Sequence, residues 1–433
     1  MTDTIHPAAA RGFDGAADLY DRARPGYPAD AVAAIAERLD LRPGRTVLEL
    51  GAGTGKLTAL LVPTGARIIA LEPVPGMRTK LAATLAGAPG VEIVDGTAEA
   101  IPLPAGSVDA VVAAQAFHWF DAIRALSEVH RVLRPGGRFA LAWNRRDESV
   151  PWVKGMGDRI RTLAGDEPQV WDERWRASLR RCALFEPWDS VQFRQTQVLT
   201  REGVLDRVAS VSFVAAAEPS ERAEVLASVD ALLRDDPDTA GRDTIDLPYD
   251  TEVMWATRRT IEPGLAGVIA SVNLNRGGVP KPPVDGTVAR TLGLDGDGHN
   301  EPDIHGGPTA AVCLYPQEAV ERVRADGHQS FPGSYGENLT LLGIDWAGLR
   351  EGDRLELGDH DDGSGAGPLL ELTQFAAPCT TQSHWFLEGR IARISHMVRP
   401  EDARWYARVL REGPLAPGMA VRVVRDARPS RSG

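Results

Sequence analysis

Cysteine is scarce in this chain, with 3 among 433 residues: Cys182, Cys313 and Cys379. None shares Cys-x-x-Cys spacing with another, which excludes a zinc ribbon and leaves no disulfide framework. Any cysteine that matters acts alone. Long apolar runs are also missing. Met1 to Arg11 lacks the basic-then-apolar order of a secretory signal, and no later stretch is apolar for long enough to cross a bilayer. The expectation is a soluble, cytoplasmic chain with no membrane partner. Positive charge is in deficit, with 48 Lys and Arg against 60 Asp and Glu and a pI near 5.3. That balance argues against a nucleic-acid surface, because phosphate binding needs a concentrated positive field. No internal repeat is visible. The one biased segment, Asp359 to Gly367, reads as a solvated hairpin loop between Arg354–Leu357 and Leu369–Thr373.

What is present suffices for two cores: 433 residues, 43% of them hydrophobic. From Arg45 to Trp143 apolar runs alternate with amphipathic stretches, the rhythm of a parallel α/β sheet. The pattern predicts five strands, Thr46–Leu50, Arg67–Glu72, Val91–Val94, Val108–Ala113 and Arg138–Trp143, in a doubly wound, Rossmann-like fold. Val150 to Ala240 reads as mostly helical. Pro and Gly break the pattern at Thr260 to Gly264, and short β-type runs between Gly- and Pro-rich turns follow. The expected division is a first domain over 1–259, a linker over 260–263, a β-rich domain over 264–425 and a disordered tail over 426–433.

The first predicted strand runs into Gly51-Ala-Gly53-Thr-Gly55 and then a helix. Such a turn lets a cofactor approach the backbone at the carboxyl end of a sheet. Glu72, ending the second strand, stands where a carboxylate accepts from ribose hydroxyls. The dinucleotide fingerprint wants a third glycine where this chain has Lys56. That glycine serves tight packing beside a pyrophosphate, so a phosphate-free nucleoside cofactor fits better. A purely structural glycine turn is the plainer alternative.

Five segments in order strengthen the reading: Glu49-Leu-Gly51-Ala-Gly53-Thr-Gly55, Glu72, Asp95-Gly-Thr-Ala-Glu99, Asp109-Ala-Val-Val and Leu133-Arg-Pro-Gly-Gly137. Together they resemble the class I S-adenosylmethionine-dependent methyltransferases, over roughly Phe13 to Arg259. Tyr20-Asp-Arg-Ala-Arg-Pro-Gly-Tyr27 and Phe117-His118-Trp119-Phe120 make the chain similar to the trans-aconitate-type subgroup. The resemblance implies S-adenosylmethionine as cofactor and a small-molecule methyl acceptor. It also implies that Gly51, Gly53 and Gly55 face the methionine part, Glu72 the ribose, and Gly96, Thr97 and Ala98 the adenine, with Glu49 and Ala52 among the cofactor-binding residues. Gln115 and Phe117 fall on the sulfonium side, and Phe13 and Tyr20 belong to an N-terminal lid. Aromatic rings beside a sulfonium gain cation–π attraction. Alignment of acceptor and sulfonium can supply much of the rate, which makes a base optional. His118 is the candidate for one, because its ordinary pKa of about 6.5 suits proton removal; a structural His is the alternative.

After Gly264 the chain reads Gly277-Gly-Val-Pro-Lys281, Gly293-Leu-Asp-Gly-Asp297-Gly-His299, His305-Gly-Gly-Pro308, Tyr315, Glu318, Gly333-Ser-Tyr-Gly-Glu337-Asn338-Leu, Gly352-Asp353 and Pro378-Cys379. In this order the segments resemble a MOSC domain. The resemblance implies a β-barrel that holds molybdenum cofactor (molybdopterin) or carries sulfur, with Cys379 as metal ligand and catalytic group, and it brings pyridoxal phosphate binding as a further family property. A thiolate is a soft donor suited to such a metal; a buried, inert cysteine is the alternative. Lys281, Arg290 and the Gly306–Gly307 turn are candidates for a pterin phosphate. Two departures stand out. Met419 follows Gly418 where an acidic residue is common, and Phe375-Ala-Ala precedes Pro378 where an arginine is often found. His299 and His305 near Asp297 are spaced too loosely for a zinc or iron site. Three readings stay open for this domain: an accessory cofactor site, the principal enzyme reducing N-hydroxylated compounds or transferring sulfur, and a scaffold. Nothing in the pattern specifies an oligomer.

Overall fold

The computed structural model describes residues 21–165, 173–260, 266–298, 306–358 and 367–425. Chain contacts divide it into two units, Met1–Arg180 with Phe185–Arg258, and Arg181–Leu184 with Arg259–Gly433.

The first unit is built on seven strands: β1 Thr46–Leu50, β2 Arg67–Leu71, β3 Val91–Val94, β4 Val108–Ala114, β5 Leu133–Arg146, β6 Asp189–Leu199 and β7 Ile245–Thr257. Their order is β3-β2-β1-β4-β5-β7-β6. The first five run parallel, whereas β7 is antiparallel to both β5 and β6. The sheet is therefore Rossmann-like but mixed. Helices α1 Ala29–Arg38, α2 Lys56–Leu61, α3 Pro75–Thr84 and α4 Ala122–Val132 accompany the parallel strands. The apolar stripe of α1, with Ala31 and Ile35, packs with Leu57 and Leu61 of α2 onto Val47, Ile68 and Val112, the face-covering that a parallel sheet needs.

The expected mostly helical stretch from Val150 to Ala240 is corrected by β6, which lies inside it. Its sequence hides period two, because Gln195 and Gln197 occupy positions that bond the chain near Ala23 and Gly26. Pro248 likewise disguises β7. It is tolerated because it lies beyond the last pair with β5, Arg146↔Tyr249, so that end of β7 is laddered only to β6. The helices that do form, α5 Pro151–Arg161, α6 Glu173–Arg181, α7 Arg201–Ala209, α8 Ser212–Ala216 and α9 Pro219–Asp235, include a second core. There Trp152, Met156, Val208, Phe213 and Leu233 close over Ile245, Leu247 and Tyr249 of β7.

The second unit holds β8 Ala266–Asn273, β9 Pro283–Val284, β10 Thr287–Arg290, β11 Gly293–Leu294, β12 Val312–Pro316, α10 Gln317–Ala325, β13 Leu339–Leu342, β14 Arg354–Leu357, β15 Leu369–Ala376, β16 Arg404–Arg411, β17 Gly413–Leu415 and β18 Ala420–Val424. Seven strands follow one another as β13-β12-β16-β15-β14-β18-β8, and pairing of β8 with β13 closes them into a barrel. The expected hairpin forms, with Arg354↔Glu371 and Glu356↔Leu369 in register; its connection over 359–366 lies outside the described residues. Alternate residues such as Ile269, Leu314, Leu355, Leu370 and Val421 fill the interior. Cys313 is buried in β12, as its apolar run suggests, and Cys182 is buried just after α6. Among the described residues no helix is long and apolar enough to cross a membrane.

Leu355→Ala, which opens a cavity in the barrel, is expected to cost about 2–5 kcal/mol in urea unfolding of the second unit. Leu410→Ala, at an exposed position of β16, is expected to stay within about 0.5 kcal/mol of wild type.

Candidate functional site

The turn after β1 is shaped by three left-handed glycines whose surroundings differ. A Cβ on Gly51 would stand 2.8 Å from Ala116 Cβ, and one on Gly55 2.7 Å from Leu81 Cδ1, so both permit close packing. At Gly53 (φ +58°) nothing lies within 4 Å. Its backbone faces open space, the cradle that a ligand approaching the main chain requires. Glu72, just past β2, braces this turn: one carboxylate oxygen accepts from the Gly53 N–H at 2.8 Å, the other from the Val74 N–H at 2.9 Å. Burial raises its pKa, against those two hydrogen bonds.

A small, partly open cavity lies above the turn. Its lining contains the expected Glu49, Gly51, Ala52, Gly53 and Gln115, and also Arg24, Tyr27, Thr54, Lys56, Asn144 and Arg207. Arg24 and Tyr27 stand in the aromatic–arginine segment noted before β1, and Asn144 directly follows the apolar run of β5. Arg207 lies on α7, where no sequence signal marked it. The described chain from Asp21 onward is stitched across this region. Thr54 Oγ1 donates to Asp21 at 3.0 Å, Arg24 to the Ser210 carbonyl at 2.9 Å, and Asn144 Nδ2 to the Gly26 carbonyl at 2.8 Å. Phe13 and Tyr20 lie outside the described residues.

Glu49 forms part of the cavity floor. Its carboxylate accepts from Thr58 Oγ1 at 2.7 Å, yet burial pushes its pKa up to about 8, helped by the nearby charge of Glu72. Gln115 holds φ +57°, unusual for a side chain of its type, and its Nε2 reaches the Asn144 carbonyl at 3.3 Å. Other expected residues stand behind the lining: Gly55, Glu72, Gly96, Thr97, Ala98, Phe117 and His118. Gly96 is wedged between Leu71 and Pro102, each 2.9 Å from its would-be Cβ. The buried Thr97 Oγ1 has no hydrogen-bond partner among the described residues.

Phe117 is fully buried, its ring packed against Phe120, Phe139 and Trp175. Burial, with the Arg24 charge adding to it, pushes the His118 pKa down to about 3, and its buried Nδ1 has no partner among the described residues.

In the second unit Cys379 lies three residues beyond β15, half-buried. Its N–H donates to Gln382 Oε1 at 3.2 Å, and its Sγ is 2.7 Å from Thr381 Oγ1. The other thiols are ill suited to reaction, because burial pushes Cys182 up to about 12 and Cys313 up to about 11. Two expected phosphate contacts are corrected. Lys281 is buried and ion-paired with Asp297, which also accepts from Asn338 Nδ2 at 2.8 Å, and exposed Arg290 is paired with Asp295 and Glu412. Gly306 and Gly307 remain an open turn of positive φ. His299 and His305 lie outside the described residues.

The raised pKa of Glu49 has a measurable consequence. At pH 7 the free site is mostly protonated, and a cationic ligand favours the ionised carboxylate. Binding of S-adenosylmethionine, the cofactor implied above, is therefore expected to release up to about one proton per site, and affinity to rise with pH until the free group ionises near 8. Calorimetry in buffers of different ionisation enthalpy reads this release, and Glu49→Gln should abolish it. In the same assay Gly53→Val is expected to remove binding, because its branched side chain fills the open cradle.

A methyltransferase domain model matches residues 48–141 and a MOSC domain model residues 301–422. An uncharacterized methyltransferase of Mycobacterium tuberculosis is 42% identical over 248 residues, which is 57% of this chain and 95% of the relative. One from Schizosaccharomyces pombe is 33% identical, over 54% of this chain and 90% of its own length. A malonyl-[acyl-carrier protein] O-methyltransferase of Methylococcus capsulatus is 42% identical over 139 residues, covering 31% of this chain and 48% of the relative. The mixed Rossmann-like sheet, its glycine cradle and these matches agree: the chain belongs to the class I S-adenosylmethionine-dependent methyltransferases, joined to a MOSC domain on the C-terminal side.

Proposed function

We propose that the first unit methylates a carboxylate of a small-molecule acid. The observation that carries this is a pair of guanidiniums that form no direct ion pair among the described residues, with only the longer-range charge of Glu148 acting on Arg146. Arg207 lines the cavity with about 5% of its surface exposed, and its hydrogen bonds go to neutral groups, Tyr249 Oη at 3.0 Å and Ser210 Oγ at 3.5 Å. Arg146, the last residue of β5, pairs in register with Tyr249, and its Nη1 is buried without a partner among the described residues. Burial and the Arg207 charge push its pKa down to about 10. Two neighbouring buried cations are costly unless an anion joins them. S-adenosylmethionine brings one carboxylate, on its methionine part, and a carboxylate acceptor brings a second, so that each of the two guanidiniums can meet an anion; Arg forks match carboxylates geometrically.

The glycine cradle, Glu49 and Glu72 are the residues to hold S-adenosylmethionine. When bound, it supplies an activated methyl whose transfer to a carboxylate oxygen leaves a neutral ester and a neutral thioether, with no proton to move. His118, held neutral, is then under no demand as a base, and Gln115 remains to orient the acceptor. The O-methyl transfer named for the Methylococcus relative is in keeping with this reading.

The test is a panel of small carboxylic acids and matched alcohols and amines incubated with labelled cofactor. Base-labile methyl esters are expected from the acids alone. Arg207→Met should raise the KM for the acid about 10- to 100-fold, the range for losing a charged hydrogen bond, with cofactor affinity unchanged. Methylation of only alcohols or amines would overturn the reading.

For the second unit we infer that Cys379 engages a molybdenum-bearing cofactor or carries sulfur. The support is its half-exposed soft donor, against two buried and unreactive thiols. Pyridoxal phosphate is the weaker fit, because Lys281, the only lysine after Lys154, is tied to Asp297. Elemental analysis of protein from a cofactor-producing host is expected to find molybdenum in wild type and none in Cys379→Ser, with methyl transfer unaffected. Equal metal in both would leave Cys379 without this role.

A further inference from the structure

The turn that carries Cys379, Phe375-Ala-Ala-Pro378-Cys379, contains no cation of its own. Register supplies one from the neighbouring strand. Arg404, the first residue of β16, pairs with Ala376 at the end of β15, and about 5% of its surface is exposed. Its Nη2 donates to the Ala377 carbonyl at 2.8 Å and more weakly to Gln382 Oε1 at 3.4 Å, while Nη1 donates to the Tyr335 carbonyl. Gln382 Oε1 also accepts the Cys379 N–H, and Gln382 Nε2 donates to the Tyr335 carbonyl at 2.6 Å. The guanidinium thus grips the turn on both sides of the cysteine.

All these acceptors are neutral. Arg404 Nε is buried and donates to nothing among the described residues. Glu337 lies within its field but makes no ion pair with it, and its two oxygens take the N–H groups of Gly333 at 2.6 Å and Tyr335 at 3.1 Å. The Tyr406 hydroxyl senses both Arg404 and the Cys379 sulfur, which places the two in one electrostatic neighbourhood. A buried guanidinium with neutral ligands has no direct ion pair to cancel its field, and low dielectric extends its reach. The Cys379 sulfur in this neighbourhood is half-buried.

We propose that Arg404 is the positioning residue of the Cys379 site and makes that sulfur select anionic partners: an oxyanion, or the anionic end of a larger cofactor. A simple staple between β16 and the turn would hold the backbone without selecting charge, so charge selectivity separates the two roles. The selectivity does not depend on a metal, because it is read on the sulfur itself.

The test compares iodoacetate with iodoacetamide, an anionic and a neutral alkylating agent of similar size, at one pH on the full chain. Cys182 and Cys313 are buried, so intact mass follows Cys379, with Cys379→Ser as the blank. N-acetylcysteine in the same buffer gives the reference ratio of rates. Wild type is expected to favour iodoacetate about 3- to 10-fold over that reference, and Arg404→Met to return to it while melting as a folded protein. Should Arg404→Met fail to melt cooperatively, Arg404→Gln, which retains donors for Ala377 and Tyr335, is read in its place. A wild-type ratio no higher than the reference overturns the proposal without any variant. A raised ratio that survives loss of the guanidinium overturns it as well.

Discussion

The hydrogen bonds from the Gly53 and Val74 backbone to the buried Glu72 carboxylate organise the first unit. They tie the turn after β1 to the end of β2 and fix the left-handed backbone that only glycines take without strain. The space above Gly53 stays open because its neighbours in the turn, Gly51 and Gly55, absorb the close contacts with Ala116 and Leu81. Without that brace the turn has no reason to keep its shape, and Glu49 loses the wall that makes it part of a cavity.

Both units then place a buried guanidinium that makes no direct ion pair among the described residues. In the first, Arg207 and Arg146 converge on Tyr249; in the second, Arg404 binds three neutral acceptors around Cys379. Elsewhere the same chain pairs its arginines freely, as with Arg176 on Glu252 or Arg393 on Asp402. Leaving a charge uncompensated in a buried place costs free energy that folding alone does not repay, so such residues mark where an anion belongs.

The five parallel strands and the glycine turn were legible because they are local: apolar runs with short periods, punctuated by glycines in sequence. The barrel hairpin and the buried Cys313 strand were legible for the same reason. β6 was not, since its inward glutamines are explained only by the chain segment at 23–26 that they bond. Phe117 and His118 stood in a motif that marked them as important but not for what. Their rings are governed by burial among residues from β5, α6 and the 21–27 stretch, which no spacing records.

By itself the sequence determined the family, the order of the two domains, the cradle at Gly51 to Gly55 and the placing of Cys379 in a turn after a strand. Each is written in contiguous residues whose backbone preferences act locally. Only the tertiary structure decided where charge goes uncompensated. Arg207 reaches the cavity because α7 packs over β7, and Arg404 reaches the cysteine turn because β15 and β16 are in register at Ala376. Those residues lie 25 or more positions from the motifs they serve. Electrostatics depends on distance in space, and the chain fixes that only once its strands have paired.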